Sequence, residues 1–303
     1  MDIAVTGATG LIGTRLVHEL VSGGHRVLRL VRPGSQHHDT TGTDDAEWDP
    51  TTGTIDAGAL EGIDAVIHLA GQGIADKRWT PEQKDLIMSS RRLGTSLLAE
   101  TLAGLTAPPK ALLSGSAIGY YGDTGDRSTD ESGPAGSDFP ARVCIEWERS
   151  AHAAVDAGIR VVLLRTGIVL DEAGGALAKQ LPFFRIGLGG KSGSGRQYQS
   201  WITLRDEVAA IQFLLTADVS GPVNLTAPEP VTNAEFAKTL GKVLGRPTTI
   251  IPMIGPRVLY GRELADSLLL TSQRIIPAAL ETAGFTFSDT TLDGGLRAIL
   301  ADR

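Results

Sequence analysis

Three glycines near the start of the chain are spaced so that they could build a phosphate-binding turn. The segment Gly7–Gly13 reads Gly-Ala-Thr-Gly-Leu-Ile-Gly and directly follows a short apolar run. Gly7 permits a tight bend, Gly10 lets the backbone approach a pyrophosphate, and Gly13 lets a helix pack closely on a strand. Free N–H groups at the start of that helix would face the phosphates. The alternative is that the glycines serve packing alone.

Arg32 could select between the two nicotinamide dinucleotides. It follows a predicted strand over Arg26–Val31. An acidic residue here would bind the ribose hydroxyls of the adenosine and repel a 2′-phosphate, whereas a guanidinium suits that phosphate. The sequence therefore favours NADP(H) over NAD(H), with a solvated surface arginine as the alternative. Arg29 lies on the opposite face of the strand and is not expected to help.

The elements that must position these residues alternate along the first 170 residues. Short β-branched runs predict strands, and longer stretches with apolar residues three and four apart predict helices. The predicted strands are Asp2–Thr6, Arg26–Val31, Asp64–Leu69, Lys110–Ser114 and Arg160–Arg165. The predicted helices are Leu11–Val21, Pro81–Leu105 and Arg142–Ala157. Such alternation requires parallel pairing, and right-handed crossovers then give a doubly wound sheet.

The pattern changes beyond about Leu170, where glycine-rich segments appear. The elements predicted there are a helix over Arg205–Thr216, short strands around Val223–Leu225 and Thr248–Ile251, and two helices near the end. We predict an α/β fold with a Rossmann-type doubly wound parallel sheet in residues 1–170. A smaller α/β substrate lobe would occupy residues 171–303 and include a C-terminal helical segment, with chain crossing between the lobes left open. Gly34–Asp45 is predicted as a loop.

Composition narrows the class of protein. The 303 residues carry 28 Lys and Arg against 35 Asp and Glu, a net charge of −7, which argues against a nucleic-acid partner. The single cysteine, Cys144, excludes an internal disulfide, and no metal site is predicted. Without a signal-peptide pattern or a run of 18 apolar residues, we expect no membrane association and a cytoplasmic location. We expect a monomer or a homodimer that binds a small-molecule substrate.

Further segments resemble the extended short-chain dehydrogenase/reductases, a Rossmann-fold family. Asp64–Gly71 is similar to the fourth strand of that family and its following turn, and Ser114–Gly122 to the fifth strand and its serine loop. Trp201–Val208 is similar to the segment that leads into the substrate-lobe helix, with Thr203 where the family commonly has histidine.

A narrower resemblance covers nearly the whole chain. It is to an atypical branch usually named epimerase family proteins, or NADP-dependent oxidoreductases related to sugar-nucleotide epimerases. The segments that carry it are Trp48–Pro50, Ser90–Arg91, Ser116–Gly122, Trp147–Glu148, Arg165–Leu170, Leu181–Phe183, Gly187–Gly190, Gly193–Gly195, Thr232–Phe236 and Leu292–Gly295. Because the substrates of this branch are largely unassigned, the resemblance implies a cofactor class and leaves the substrate open.

The resemblance implies a set of cofactor contacts. The residues of the turn that would contact the pyrophosphate are Gly7, Thr9, Gly10, Leu11, Ile12 and Gly13. The residues that would lie along the rest of the cofactor are Arg32 at the 2′-phosphate, Leu69, Ala70 and Gly71 along its length, Arg91 from the long helix, and Ile168 and Val169 near the nicotinamide. Arg91 could instead be a helix-surface charge, and Leu69 or Val169 could be core residues.

The catalytic group that the resemblance implies is incomplete. The parent family uses a serine together with Tyr-x-x-x-Lys on the following helix, where tyrosine transfers a proton, lysine lowers its pKa and holds the ribose, and serine orients the carbonyl. Ser116 matches the serine, but Phe139–Arg149 contains no Tyr-x-x-x-Lys. Tyr120 and Tyr121, on a glycine-flanked loop, are the candidate replacements. Their alternative role is packing at the loop rim.

Depending on register, Cys144 and Glu148, or Val143 and Trp147, stand in place of the tyrosine and the lysine. We expect Cys144 to be a buried helix cysteine and Glu148 a surface or salt-bridged glutamate, with acid–base chemistry only if it is buried. His68 is expected to be a core histidine.

Two functions follow from these observations. The favoured one is an NADP(H)-dependent oxidoreductase, or an epimerase acting through transient hydride transfer, on a small carbonyl- or hydroxyl-bearing substrate. A nucleotide sugar is one such substrate, since cationic side chains suit a diphosphate; the candidates in the second lobe are Arg185, Lys191, Arg196 and Gln197. Apolar neighbours there could instead cover a hydrophobic ligand. The alternative function, motivated by the missing Tyr-x-x-x-Lys, is a catalytically silent NADP(H)-binding sensor or regulatory protein.

Overall fold

A mostly parallel sheet of eight strands forms the centre of the computed structural model, which describes residues 1–34 and 42–301. The strands are β1 (Asp2–Thr6), β2 (Arg26–Val31), β3 (Thr43–Asp49), β4 (Thr54–Ile55), β5 (Ala65–His68), β6 (Ala111–Ala117), β7 (Arg160–Thr166), β8 (Ile168–Leu170), β9 (Gly190–Ser192), β10 (Tyr198–Gln199), β11 (Trp201–Thr203), β12 (Gly221–Leu225), β13 (Val231–Thr232) and β14 (Thr249–Ile251). The large sheet has the order β12-β7-β6-β5-β1-β2-β3-β4, and only β4 runs antiparallel to its neighbour. The predicted Rossmann-type doubly wound fold is confirmed.

Helices cover both faces of this sheet. They are α1 (Leu11–Ser22), α2 (Pro81–Ala103), α3 (Phe139–Arg149), α4 (His152–Asp156), α5 (Gly175–Arg185), α6 (Leu204–Thr216), α7 (Asn233–Leu244), α8 (Ile254–Tyr260), α9 (Arg262–Leu269), α10 (Ala278–Thr282) and α11 (Leu292–Ala301). Helices α1 and α6 bury apolar side chains such as Leu16 and Ile211 against one face. Helices α2 and α4 pack on the other face through Leu98 and Ala154. Successive side chains of a strand point to opposite faces of the sheet. Because helices cover both faces, water is excluded from both.

Several predicted bounds are corrected by the structure. The loop predicted over Gly34–Asp45 lies largely outside the described residues, but its last three residues begin β3. Strand β3 is acidic and lies next to the sheet edge, so only Ala46 and Trp48 face the core and the usual apolar run is absent. The helix predicted over Arg142–Ala157 is two helices, which are separated at Ser150 and Ala151.

The chain returns to the large sheet after residue 170. Strand β12 pairs with β7, while the second lobe has a core of its own built from α5, α7 and α11 around Trp201. Its short strands pair β8 with β11, β9 with β14 and β10 with β13. Within the described part of the chain, none of the helices is long and apolar enough to cross a membrane.

Residues 272–276 tie the end of the chain to the loop after β6. The Thr124 N–H donates to the Ser272 carbonyl at 2.8 Å, and the Ile276 N–H donates to the Thr129 carbonyl at 3.0 Å. The Gln273 side-chain amide donates to the Ile118 carbonyl at 2.9 Å. This segment therefore fixes the loop that carries the candidate tyrosines.

Candidate functional site

The glycine turn lies at the carboxyl end of β1, where the strand order reverses between β1 and β5. In doubly wound sheets, ligands bind at this reversal. A Cβ on Gly7 would lie 2.8 Å from the Ala70 nitrogen, and one on Gly13 would lie 2.1 Å from the Gly7 carbonyl oxygen. Gly7 also has a φ of 69°. No larger residue fits at either position without displacing backbone, so both glycines are required by the shape of the turn.

Helix α1 begins without a cap. Its N-cap residue is Gly10, no side chain accepts a bond from the first amides, and the first turn contains no acidic residue. Thr9 and Gly10 are exposed. The amides of the first turn lack intrahelical acceptors and stand at the positive end of the helix dipole. Leu11 packs against Gly174 at the start of α5, which brings the second lobe to the rim of the turn. This arrangement fits a pyrophosphate.

Arg32 is exposed at the same edge of the sheet, one residue beyond β2, and forms no ion pair with the residues the structure describes. Arg29 is buried instead and pairs with Asp45 through two hydrogen bonds of 2.6 and 2.9 Å. The two arginines thus have different roles, because the strand directs them to opposite faces. Of these two arginines, Arg32 is the exposed one at the carboxyl edge.

Other residues predicted to line the cofactor also lie at this edge. The Thr6 hydroxyl accepts hydrogen bonds from the Leu69 and Ala70 amides at 3.1 and 3.2 Å, which fixes the turn after β5. Ile168 and Val169 are half-buried in β8, which begins one residue after β7. Leu69 and Val169 also contact the core, as the packing alternative requires. Both roles are compatible with residues at the border between core and cleft.

His68 is fully buried at the end of β5. It bonds to the Thr6 hydroxyl at 2.7 Å and to the Thr95 hydroxyl at 2.9 Å. Burial lowers its pKa to about 4, and the nearby Arg91 charge adds to this effect. The imidazole is therefore neutral at physiological pH, and its placement is that of a core histidine.

A buried polar network surrounds Ser116 at the end of β6. The Ser116 hydroxyl donates to Glu148 Oε1 at 2.7 Å. Arg165 holds the same carboxylate with two bonds, Nε to Oε1 at 2.8 Å and Nη2 to Oε2 at 2.9 Å. Glu148 is thus a buried, salt-bridged glutamate, and it orients the one residue that matches the expected catalytic serine. Two parallel bonds of this kind give the carboxylate a fixed orientation.

The two candidate tyrosines have different environments. The Tyr121 hydroxyl is buried, donates to Asn224 Oδ1 at 2.8 Å and accepts from Arg165 Nη1 at 2.8 Å. Burial raises the pKa of Tyr121 to about 12, so this phenol is a poorer acid than a free one. Its placement matches the packing alternative and argues against proton transfer by Tyr121.

Tyr120 is half-buried, and its ring lies against the Arg165 guanidinium, with 3.5 Å between Cζ and the ring centroid. Its hydroxyl has no hydrogen-bond partner among residues 1–34 and 42–301. Tyr120 is therefore the tyrosine that keeps a free phenol beside the network of Ser116.

Arg165 is the member of this network to which the sequence analysis gave no role in the site, although it begins the segment Arg165–Leu170. The available signal was a second arginine at the carboxyl end of the run Arg160–Arg165, which is otherwise apolar after Arg160 and belongs to a largely buried strand. Cys144 is buried, and burial raises its pKa to about 12. A thiol of this kind is inert as a nucleophile, as expected for a buried helix cysteine.

Arg91 projects from α2 toward the turn after β5. Its Nη1 donates to the Gln72 carbonyl at 2.8 Å and the Ile87 carbonyl at 3.2 Å. Its guanidinium lies over the Trp147 ring, 4.6 Å from the centroid. Arg91 is half-buried, so the alternative of a solvated helix-surface charge does not describe it.

The polar candidates of the second lobe do not converge on one site. Arg185 pairs with Glu172 at 3.4 Å and borders a groove with Arg246 and Arg297. Lys191 Nζ donates to the Ser194 carbonyl. Gln197 is buried and donates to the carbonyls of Ser192 and Leu269, while Arg196 is exposed. Of these four side chains, Arg185, Lys191 and Gln197 thus have partners within the described residues. The apolar neighbours Phe183, Ile186 and Leu188 are mostly exposed.

Comparison with known proteins adds the family. Residues 3–226 match the family model described as the NAD dependent epimerase/dehydratase family, and residues 251–299 match a domain of unknown function, DUF1731. The epimerase family protein MT2273 of Mycobacterium tuberculosis is 44% identical over 296 residues, which cover 97% of this chain and 96% of that protein.

Two solved structures are similar over nearly the whole chain. That of human epimerase family protein SDR39U1 (isoform 2) with NADPH has a TM-score of 0.89 and 33% identity, and the match covers 100% of both chains. UDP-glucose 4-epimerase of Thermus thermophilus, in complex with NAD, has a TM-score of 0.75 and 20% identity, with 98% of this chain and 97% of that one covered. The second likeness concerns the fold alone.

Proposed function

Because this chain belongs to the NAD dependent epimerase/dehydratase family, we propose that it is an NADP(H)-dependent oxidoreductase, or an epimerase acting through transient hydride transfer. Its substrate would be a small molecule with a carbonyl or hydroxyl group. The observation that carries the proposal is the uncapped glycine turn at the start of α1, with Gly7 and Gly13 fixed by backbone contacts. Free amides in that position suit a pyrophosphate.

The preference for NADP(H) rests on Arg32. It is the cation at the carboxyl end of β2, where the adenosine ribose of a dinucleotide lies in this fold. Its exposure leaves the guanidinium free for a 2′-phosphate. The solved structure of human SDR39U1 with NADPH, at 33% identity, supports the same preference.

The nicotinamide, when bound, supplies or accepts the hydride. Ser116 would handle the proton of the substrate oxygen, because its own proton points to Glu148 and its oxygen keeps a lone pair for a substrate hydroxyl. A proton leaving the substrate could pass to the Ser116 oxygen as the serine proton moves to Glu148. Arg165 holds the carboxylate in place for this relay. Tyr120 is the second candidate, with its free phenol.

The alternative is a sensor that binds NADP(H) without turnover. One observation favours it: the Tyr121 hydroxyl is buried and bonded to Asn224 and Arg165. Burial also raises the pKa of Tyr121 to about 12. With no Tyr-x-x-x-Lys in α3, the ordinary proton donor of such enzymes is missing. Turnover would then depend on Ser116 and Tyr120 alone.

The test begins with calorimetry of NADPH and NADH on the purified protein. Arg32→Asp is expected to weaken NADPH binding by about 10- to 100-fold, the loss of one charge-assisted contact. NADH binding should stay the same or improve, which serves as the internal control. Equal losses for both dinucleotides would contradict the role of Arg32, and no binding of either would contradict the cofactor assignment.

Turnover is tested by NADPH absorbance with a panel of carbonyl compounds and nucleotide sugars. The enzyme hypothesis expects loss of absorbance with at least one of them. Ser116→Ala should reduce that rate by about 100-fold while the Kd for NADPH is unchanged, because general acid–base catalysis contributes on that order. Stable absorbance with every compound would favour the sensor.

A further inference from the structure

Exposed apolar side chains are concentrated in two segments of the second lobe, residues 183–196 and residues 246–262. Seven large apolar side chains of these segments are more than half exposed, with exposed fractions of 58 to 75%. They are Phe183, Ile186, Leu188, Ile250, Ile254, Val258 and Leu259. Among the other described residues, only Leu86 and Val155 are large, apolar and more than half exposed. Single apolar residues are normal on a protein surface, but a group of this size marks a binding surface.

The two segments are neighbours in the fold. Strand β9 of the first segment pairs with β14 of the second, with Lys191 opposite Ile250. A Cβ on Gly187 would be 3.4 Å from the Pro247 side chain. Helix α8 begins at Ile254, shortly after β14 ends, and none of its residues is buried. The exposed apolar side chains therefore belong to adjacent elements of one side of the lobe.

The same two segments carry six basic residues and no acidic residue. The basic residues are Arg185, Lys191, Arg196, Arg246, Arg257 and Arg262. Because the net charge of the whole chain is −7, the rest of the chain carries −13. Arg185 pairs with Glu172, and Arg257 and Arg262 pair with Asp266. The other three form no ion pair with the residues that the structure describes.

We name the two segments together the basic apolar surface, and its charge indicates the kind of partner it fits. Like charges that meet across an interface oppose association, whereas an anionic partner is attracted. A two-fold dimer through this surface would bring the same cations together, because both copies contribute the same residues. The charge therefore favours an anionic partner over a second copy of the chain.

A groove of about 710 Å³ with three arginines opens beside the exposed apolar side chains. Its lining includes Arg185, Arg246 and Arg297. The half-buried Leu244 and Leu300 also line it. Two of the arginines belong to the basic apolar surface, so the groove continues that surface. Guanidinium groups suit phosphate oxygens, and the leucines offer apolar contact beside them. A phosphate head group joined to an acyl chain has both of these features.

We propose that the basic apolar surface binds the surface of a membrane that contains anionic phospholipids. The apolar side chains would enter the boundary between head groups and acyl chains, and the cations would meet the phosphates. A protein partner is disfavoured because protein interfaces are built around Tyr, Trp and Arg, whereas six of the seven exposed side chains are aliphatic. The expectation of no membrane association rested on the absence of a signal-peptide pattern and of a spanning run. Neither of these bears on binding to a bilayer surface, and the proposal is independent of cofactor and turnover.

The experiment sediments the full chain with vesicles of phosphatidylcholine alone or of equal parts phosphatidylcholine and phosphatidylglycerol. The wild type should bind the mixed vesicles in preference to the neutral ones, and added salt should weaken that binding. The double variant Ile186→Ser with Ile254→Ser should bind the mixed vesicles about 100-fold more weakly, since each buried aliphatic side chain contributes about tenfold. The matched control is Leu86→Ser with Val155→Ser, two side chains of similar exposure outside the surface. This control should bind as the wild type does.

A second pair of variants tests the charge. Arg246→Gln should weaken binding to the mixed vesicles by about fivefold, the usual contribution of one cation near an anionic bilayer, and should leave binding to neutral vesicles unchanged. Lys110→Gln removes an exposed cation of the first lobe and should have no effect. Because all the substituted side chains are exposed, the melting temperatures of the four variants should match that of the wild type. Equal weakening by Arg246→Gln and Lys110→Gln would contradict a role for the surface itself.

Three results would overturn the proposal. The first is a wild type that does not bind the mixed vesicles, or a double variant that binds them as its control does. The second is a dimer, detected by light scattering, that the substitutions Ile186→Ser and Ile254→Ser dissociate, because the surface would then belong to a second copy. The third is binding of polyglutamate without binding of the mixed vesicles, which would assign the surface to an acidic protein.

Discussion

At the scale of single residues, the buried ionisable groups divide into paired and unpaired ones. Glu148 is paired with Arg165 and serves the candidate site. Glu207 on α6 is fully buried, accepts from the Thr166 hydroxyl at 2.9 Å with Oε1, and has no described partner for Oε2. Burial raises the pKa of Glu207 to about 8. This carboxyl is therefore protonated in the folded protein at neutral pH.

Glu207→Gln should change how stability depends on pH. In the unfolded chain the carboxyl ionises near its usual pKa of 4.5, whereas the folded chain keeps the proton up to about pH 8. The unfolded state therefore binds fewer protons between these values, and the free energy of unfolding of the wild type should fall as pH rises through this range. The slope should be roughly 1 kcal/mol per pH unit relative to the variant, and level above about pH 8. Urea unfolding of both proteins at pH 5.5, 6.5 and 7.5 measures it, and parallel curves would contradict the assignment.

At the scale of elements, the strand–turn–helix unit β1–α1 was the most predictable part of the chain. The strand is set by its apolar run and the helix by apolar residues on one side, of which Leu16, Val17 and Leu20 are buried. The turn between them depends on glycine in two different ways. Gly13 is required because backbone atoms occupy the space that a Cβ would need. A Cβ on Gly10 would have one neighbour within 4 Å, the Gly7 carbonyl oxygen at 3.4 Å.

Alanine at these two positions should separate folding from binding. Gly13→Ala should destabilise the protein by about 1 to 3 kcal/mol, because its Cβ would displace the turn. Gly10→Ala should leave the melting temperature almost unchanged, since Gly10 has an ordinary φ of −77°, but should weaken NADPH binding by narrowing the approach to the amides. Thermal unfolding and calorimetry of the two variants provide the comparison. A strongly destabilised Gly10→Ala would show that the turn is less open than the structure indicates.

At the scale of the whole molecule, the end of the chain completes the site. The segment of residues 272–276 belongs to the region that matches the domain of unknown function. It bonds to the loop after β6 and to Ser200 beside β11, whose hydroxyl accepts from the Ile275 N–H at 2.8 Å. The region therefore joins the large sheet to the second lobe and does not stand as a separate body.

Because these bonds cross between the lobes, we expect them to unfold together. Trp147 reports on the large sheet and Trp201 on the core of the second lobe. Two variants, in which Trp147 or Trp201 is the single remaining tryptophan of the four, should give coincident urea transitions. Coincident transitions are the mark of two-state unfolding. Gln273→Ala should lower both midpoints equally, since its amide holds the Ile118 carbonyl. Two separated transitions would contradict this coupling.

The sequence by itself determined the doubly wound sheet, the glycine turn and the position of Ser116. These features depend on local periodicity and on short spacings along the chain, which a single sequence displays directly. Strand β3 escaped prediction because only Ala46 and Trp48 of its seven residues face the core. Its acidic residues are typical of a loop. Only the pairing with β2 identifies this segment as a strand.

Only the tertiary structure decided which polar side chains meet. Ser116, Glu148 and Arg165 lie on three different elements, and their contact follows from the pairing of β6 with β7 and the packing of α3 on that pair. The same holds for Tyr120 and Tyr121, adjacent in sequence, of which one is enclosed and the other keeps a free phenol. Burial and charge pairing depend on neighbours that are distant along the chain. For that reason the contacts of Arg91 with two carbonyls and the Trp147 ring became visible only in the folded molecule.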